Sequence, residues 1–322
     1  MSHQHTWALV LAAGDGSRLR SLTTDASGTA IPKQFCSLHG GNSLLLDTLR
    51  RAQGFAARNR IGAVVAEAHR RWWASDLWSL NRANVIVQPA NRGTANGILL
   101  PLLSILAQDP LAKVVFLPSD HYFADEAMIG RALHRAVERV YAHPESVTLL
   151  GIQPDEADCE LGYILPAAAL DFDTFRVAQF VEKPDGTVAR AMISRGAVWN
   201  SFIFAADANT LLSVYRQLLP DIVDAMETAR ARDAAPGTRR RAMIELYERL
   251  PSVDFSSHIA QRAAGRLTLL NVPTCGWSDL GTPKRVAKIL MRTPAMSAAA
   301  AKHPLSSALS LAASHALLPI AG

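Results

Sequence analysis

The chain has 322 residues, 49% of them hydrophobic, which is enough for one large α/β domain or two smaller ones around a substantial core. Its 33 Lys and Arg outnumber 28 Asp and Glu to give a net charge of +5, too mild to mark a nucleic-acid-binding protein. Six arginines lie between Arg230 and Arg249, but no aromatic residue interleaves with them before Tyr247, so the run reads as a solvated face. Cys36, Cys159 and Cys275 are widely separated and lack CxxC spacing, which argues against a zinc site or a disulfide framework and for a reducing, cytoplasmic setting. The opening stretch, MSHQHTWALVLAAG, lacks the basic and long apolar regions of a signal peptide, and no membrane association is expected.

In chain order, short apolar β-branched runs predict strands at 7–12, 61–66, 84–88, 113–118 and 147–152. Helical spacing fills the intervals, with Ala95, Ile98, Leu99, Leu102 and Leu106 on one side of a helix that Pro101 should kink, and a further helix from about 126 to 141. The second half predicts strands at 162–166, 175–183, 201–205 and 266–272, and helices at roughly 207–232 and 238–250. The fold class expected is α/β, a mainly parallel mixed sheet with helices on both faces. From Thr293 the sequence turns Ala- and Ser-rich, and residues 303–322 hold no Asp, Glu, Lys or Arg; their prolines and polar residues argue against a membrane span and for a tail.

The first strand runs into LAAGDGSRLR, where Gly14 and Gly16 permit a tight turn whose backbone N–H groups can converge on an anion. The turn lacks the Lys-Ser/Thr pair of a Walker A loop, and Leu19 stands where a dinucleotide fingerprint has its third glycine. Lys33 follows Pro32 fifteen residues after Arg18, and a guanidinium fork and an ammonium near one glycine turn would suit a triphosphate clamp. By itself each of Asp120, just past a strand, and Asp279, in a Gly-flanked turn, reads more readily as a turn or cap residue than as a metal ligand.

LAAGDGSRLRSLT followed by PKQF resembles the signature of sugar-phosphate nucleotidyltransferases, in the form of the mannose-1-phosphate guanylyltransferase branch. Six further segments agree in family order: PANRGTANGILLPL, LPSDHYF, ELGYILP, FVEKPD, VWNSFIF and GWSDLGTPKRV. The resemblance spans about residues 7–290 and implies a Rossmann-like fold of the glycosyltransferase-A type. It implies a nucleotidyltransferase domain over 1–292, with a nucleotide-binding half to about 155 and a sugar-binding half from 156, ahead of the 293–322 tail.

The reaction so implied is attack of a sugar-1-phosphate oxygen on the α-phosphorus of GTP, giving GDP-mannose and pyrophosphate. Catalysis would rest on Arg18, Lys33, Asp120 and Asp279, with Asp120 and Asp279 as ligands of Mg²⁺. Ala12, Gly14, Gly16, Arg18, Lys33, Gly93 and Thr94 would bind the nucleotide. Gly162, Glu182, Lys183 and Asn200 would bind the sugar phosphate. His121 would serve as a hydrogen-bonding residue, since Mg²⁺ prefers oxygen.

The sequence departs from the family pattern at Ala13, in place of a second glycine, at Phe202, in place of the glycine of WNSGMF, and in SVDFSSHIAQR, whose second half does not match. The latter two touch the sugar side, so another sugar-1-phosphate with UTP or dTTP is the alternative. A catalytically weak nucleotide-sugar-binding regulator is a third reading. The expected partners are thus an NTP and a sugar-1-phosphate, with a homodimer left open.

Overall fold

The computed structural model describes residues 3–25, 27–37, 41–234 and 241–292. The expected tail at 293–322 and the start of the helix expected at 238–250 lie outside them.

Nine strands form one sheet: β1 Thr6–Ala12, β2 Ile61–Ala66, β3 Val85–Gln88, β4 Lys113–Pro118, β5 Val147–Ile152, β6 Tyr163–Ala169, β7 Thr174–Val181, β8 Val198–Asp207 and β9 Leu267–Val272, in the order β3-β2-β1-β4-β8-β5-β9-β7-β6. The β3-β2-β1-β4 half is parallel, as is the β5–β9 pair. Strand β8 runs antiparallel between β4 and β5, and joins the parallel half to the β6–β7 hairpin.

Ten α-helices accompany the sheet among the described residues: α1 Arg20–Thr23, α2 Leu44–Gln53, α3 Arg70–Asp76, α4 Gly93–Gln108, α5 Glu126–Ala142, α6 Gly186–Ser194, α7 Ala208–Leu218, α8 Pro220–Asp233, α9 Arg241–Arg249 and α10 Pro283–Arg292. Alternation along β1 divides the interior into two cores. Trp7 and Leu9 face α4, α7, α8 and α9, whereas Ala8, Val10 and Ala12 face α2, α3 and α5. A smaller cluster docks α10, through Val286, Ile289 and Leu290, onto Leu19 and Leu22 beyond the glycine turn.

Two expectations are refined. The helix expected at 207–232 breaks at Leu219, whose φ of −140° leaves the helical region because Pro220 follows and starts α8 at its first turn. Helix α4 continues through Pro101, which removes one backbone donor without ending the helix.

Strand β8 reaches further than the 201–205 expected and carries a bulge. Leu149 pairs with Phe204 but Gly151 with Asn200, so residues 201–203 bow out of the ladder. Ser201 repairs the gap, its hydroxyl donating to the Leu150 carbonyl at 2.6 Å and accepting from the Ile203 N–H at 3.2 Å. Gly151 faces this bulge, where an added Cβ would lie 2.3 Å from Val198 Cγ2 and 2.5 Å from Leu269 Cδ1. Gly151→Ala should therefore lower unfolding stability by about 1–3 kcal/mol through overpacking, read from urea denaturation; an unchanged midpoint would show that the core can yield there.

Candidate active site

At the carboxyl ends of β1, β3 and β4 opens a cleft of about 340 Å³. Every site residue expected from sequence lines it except Ala12. Ala12 is fully buried, its side chain in the α2/α3/α5 core, so it cannot contact a nucleotide with that side chain. Its carbonyl instead accepts from Gln34 Nε2 at 3.0 Å, while the Gly14 carbonyl accepts from the same amide at 2.8 Å, so Gln34 pins the base of the turn.

Gly16 has φ +60°, and an added Cβ would stand 2.9 Å from the Lys33 backbone nitrogen. Glycine at this position thus lets the turn press against the PKQF segment. The turn leads into one 3₁₀ turn and the four-residue α1, too short for a substantial dipole, so the turn's anion affinity would rest on its own N–H groups and nearby cations.

Lys33 is buried, and its ammonium has three acceptors: Asp120 Oδ2 at 2.8 Å, the Asp279 carbonyl at 2.6 Å and the Leu280 carbonyl at 3.3 Å. This one group brings together two aspartates 159 positions apart. A backbone bridge reinforces the junction, Tyr122 N–H donating to the Ser278 carbonyl at 2.9 Å and Ser278 N–H to the Tyr122 carbonyl at 3.0 Å. Burial pushes the Asp120 carboxyl up, but the Lys33 ammonium beside it outweighs that and holds it below the ordinary range.

Asp120 Oδ1 approaches His121 Nε2 no closer than 4.0 Å. His121 Nδ1 accepts from Trp277 Nε1 at 3.2 Å, and burial pushes the imidazole down to about 4, against the pull of Asp120 and Asp279, so it is neutral near pH 7. Its geometry is that of a hydrogen-bonding residue wedged against the Trp277 ring.

Asp279 has a partner that the sequence did not announce. Arg285, on α10 and 8% exposed, donates from one terminal nitrogen to Asp279 Oδ1 at 2.6 Å and from Nε to Asp158 Oδ2 at 3.0 Å, with a second, shorter contact to the same oxygen. The Gly281 N–H also donates to Asp279 Oδ1, at 2.9 Å. Asp158 is pushed up by burial but is held below the carboxylate range by Arg285. Arg285→Met would strand two half-buried carboxylates and should cost about 3–5 kcal/mol, while Arg285→Lys, keeping the charge, should cost less; a Met variant as stable as the parent in chemical denaturation would dismiss this role.

Arg18 spans the cleft mouth to Glu160 at 2.7 Å, both about half exposed, a pair that salt screens and that an incoming phosphate can replace. On the α4 side, Gly93 has φ +83°, and an added Cβ would fall 2.3 Å from the Val253 carbonyl oxygen. Packing against segment 251–256 is therefore what requires glycine there. The Thr94 hydroxyl is engaged by the same segment, donating to Asp254 Oδ2 at 2.9 Å and accepting from the Phe255 N–H at 2.7 Å. The first half of SVDFSSHIAQR, where the family likeness holds, is the half that docks on α4. Gln88, at the end of β3, is buried on the cleft wall, and its Oε1 has no partner among the described residues.

On the side expected to take the sugar phosphate, Gly162 lets Glu182 come close: an added Cβ would lie 2.6 Å from Glu182 Oε2. The Gly162 carbonyl accepts from the Asn200 N–H at 2.8 Å, and Asn200 Oδ1 accepts from the Phe202 N–H at 3.0 Å. Lys183 stands 3.6 Å from Glu182 Oε1. The non-glycine residues with left-handed backbone among those described are Lys183 (φ 45°), Phe202 (φ 58°) and Leu280 (φ 48°), and all are at the cleft or next to Asp279. Phe202 thus holds a backbone conformation that glycine adopts freely, in keeping with the glycine expected there from the family pattern.

Burial, and then the nearby Asp254 charge, push the Glu182 carboxyl up, against the pull of Lys183 and a Ser256 hydrogen bond. A carboxyl raised in the fold binds its proton more tightly there than in the unfolded chain, so stability falls as pH rises from the ordinary carboxylate range through the raised value. Glu182→Gln should accordingly melt above the parent at pH 7, with the gap closing toward pH 4; a variant less stable at pH 7 would show that the charged form is well solvated.

Comparison with known proteins accords with this geometry. The family model described as "Nucleotidyl transferase" matches residues 7–295. The chain belongs to the nucleotidyl transferase family. It is 32% identical over 292 residues to the mannose-1-phosphate guanylyltransferase of Escherichia coli (strain K12), covering 88% of this chain and 59% of that one. It is also 32% identical over 306 residues to the mannose-1-phosphate guanylyltransferase ManC of Salmonella typhimurium, covering 91% and 61%. The chain thus spans about three-fifths of the length of these curated relatives. A crystal structure described as a mannose-1-phosphate geranyltransferase from Thermus thermophilus superposes with a TM-score of 0.77 at 27% identity, over 90% of this chain and 80% of that one.

The α/β fold of the nucleotidyl transferase family is therefore established. Gln34, Asp158, Arg285 and Asp254 are the residues that sequence reasoning passed over. Gln34 and Arg285 lay inside quoted motifs, PKQF and GWSDLGTPKRV, but only contact shows what they hold. Among the described residues no helix is long and apolar enough to cross a membrane.

Proposed function

We propose that the protein transfers a guanylyl group from GTP to mannose-1-phosphate, releasing pyrophosphate and forming GDP-mannose. What carries the reading is the Lys33 junction, which holds the Asp120 carboxylate against the Asp279 loop at the mouth of the glycine turn. The names of the curated relatives, at 32% identity, supply the substrate pair.

The chemistry balances without a covalent enzyme intermediate. A phosphate oxygen of the sugar-1-phosphate forms a bond to the α-phosphorus, and the bond from that phosphorus to the bridging oxygen breaks, leaving pyrophosphate with the electron pair. Both reactants are anions, so the protein's work is alignment and charge neutralisation. The N–H groups of the glycine turn and Arg18, released from Glu160, would receive the phosphates. Lys183 would hold the sugar phosphate and Glu182 would accept from sugar hydroxyls. Gln88 Oε1, a buried acceptor with no partner among the described residues, suits a base that presents N–H donors, as guanine does.

The donor set fits Mg²⁺: two carboxylates, with Asp120 Oδ1 free of any Lys or Arg contact within 4 Å among the described residues, and a hard cation prefers these oxygens to the His121 imidazole. Asp120 and Asp279 would hold the ion, which supplies charge neutralisation for the phosphates when bound. Arg285 keeps Asp279 oriented toward the site. Three cysteines with no disulfide suit a cytoplasmic setting.

Phe202 lines the cleft beside Asn200, at the position where the family pattern described above expects glycine, which favours a different sugar-1-phosphate as the second reading. Pyrophosphate release measured over four NTPs and several sugar-1-phosphates separates the two. Release with GTP and mannose-1-phosphate alone is expected. Another productive pair moves the protein to the second reading, and binding without release makes it a regulator. Asp279→Asn should lower turnover at least about 100-fold, and Lys183→Ala should raise KM for the sugar phosphate far more than for the NTP; normal turnover, or equal KM effects, would remove those assignments.

A further inference from the structure

A second cavity, of about 630 Å³, lies at the opposite end of the sheet, where β5 and β9 begin. Its wall includes Arg139 and His143 from the end of α5, Arg176 on β7, Arg266 just before β9 and Thr210 in the first turn of α7. Glu145 is the one carboxylate lining it, and it stands 3.4 Å from His143. Three guanidinium groups therefore face a single acidic side chain.

Arg139 is the decisive member. It is only 8% exposed, yet its guanidinium makes no hydrogen bond or ion pair with any described residue, and Nε is buried without a partner. Burying an uncompensated cation is costly, and the other deeply buried cations here are matched: Lys33 by Asp120, Arg285 by Asp158 and Asp279. Asp171, which feels the Arg139 charge, is already engaged by Arg135. Arg176 is exposed and makes no side-chain hydrogen bond or ion pair with a described residue, and Arg266 gives one bond, to Ser213 Oγ at 3.1 Å.

We propose that this cavity binds a phosphate-bearing small molecule at a site separate from the cleft. A planar guanidinium fork matches two phosphoryl oxygens at once, and the Thr210 hydroxyl adds a neutral donor. The cavity is larger than the catalytic cleft and can take more than a lone phosphoryl group. Strands β5 and β9, which begin here, end at the segments that carry Asp158 and Asp279, so an occupant sits at the far end of the elements bearing the Arg285 cluster. The proposal does not depend on which sugar or base the cleft accepts.

Hydrogen–deuterium exchange of the full chain with inorganic pyrophosphate as probe tests it, because protection is read separately at residues 14–18 in the cleft and at 143–146 and 264–268 in the cavity. Protection of both regions is expected. Arg176→Gln and Arg266→Gln, at exposed positions, should abolish cavity protection or raise its half-saturating concentration at least about tenfold while leaving cleft protection unchanged. Orthophosphate protecting as well as pyrophosphate would identify a single phosphoryl group as the ligand feature, and protection by pyrophosphate alone would identify a diphosphate; either supports the site. Protection confined to the cleft would overturn the proposal. So would cavity protection indifferent to both substitutions, which would mean an adventitious ion only.

Discussion

The buried ammonium of Lys33 is the constraint on which the cleft depends. A lysine taken out of water is tolerable only if its donors are satisfied, and here all three are: by a carboxylate at the end of β4 and by two carbonyls of the loop that leads into α10. Because those acceptors come from chain segments far apart in sequence, the need to satisfy one cation fixes where the two halves of the domain meet. Gln34, its neighbour, does the same for the glycine turn. The PKQF segment is thus a clasp between distant parts of the chain.

A second layer of order surrounds the first. Arg285 spans Asp158 and Asp279, so the carboxylate that would meet a metal is oriented by a guanidinium held in place by α10 packing on Leu19 and Leu22. Three non-glycine residues in left-handed backbone, together with a raised Glu182 carboxyl, show where the fold accepts local cost. These features cluster at the cleft rather than in the two cores. That is the pattern expected where geometry is set for chemistry and the surrounding packing supplies the stability.

The two cavities divide the molecule electrostatically. In the cleft, Arg18 and Lys33 are already matched by carboxylates, so an anion arriving at Arg18 would exchange with Glu160. At the other end of the sheet, guanidinium groups outnumber carboxylates among the described residues, and one of them is buried without a partner among those residues. The same basic side chains thus serve as internal struts at one end and as an unmatched surface at the other, a difference set by neighbours rather than by residue type.

Much of this was legible in the sequence, for definite reasons. Period-two and continuous apolar runs marked all nine strands, because burial on a sheet leaves that imprint locally. The glycine turn, PKQF, PSDH and WSD segments identified the family and most of the cleft wall, because a tight turn pressed against a buried lysine and its carboxylate needs particular residue types at particular places. Sequence could not say that Gly93 is glycine on account of Val253 or that Phe202 would keep a left-handed backbone. Nor could it say that Ala12 would face the core, that Arg285 would span two aspartates, or that Arg139 would be buried unpaired. Each of these is decided by contact between segments distant in the chain. Local pattern records which face of an element is buried; which atom lies against which is decided only when the sheet order brings those faces together.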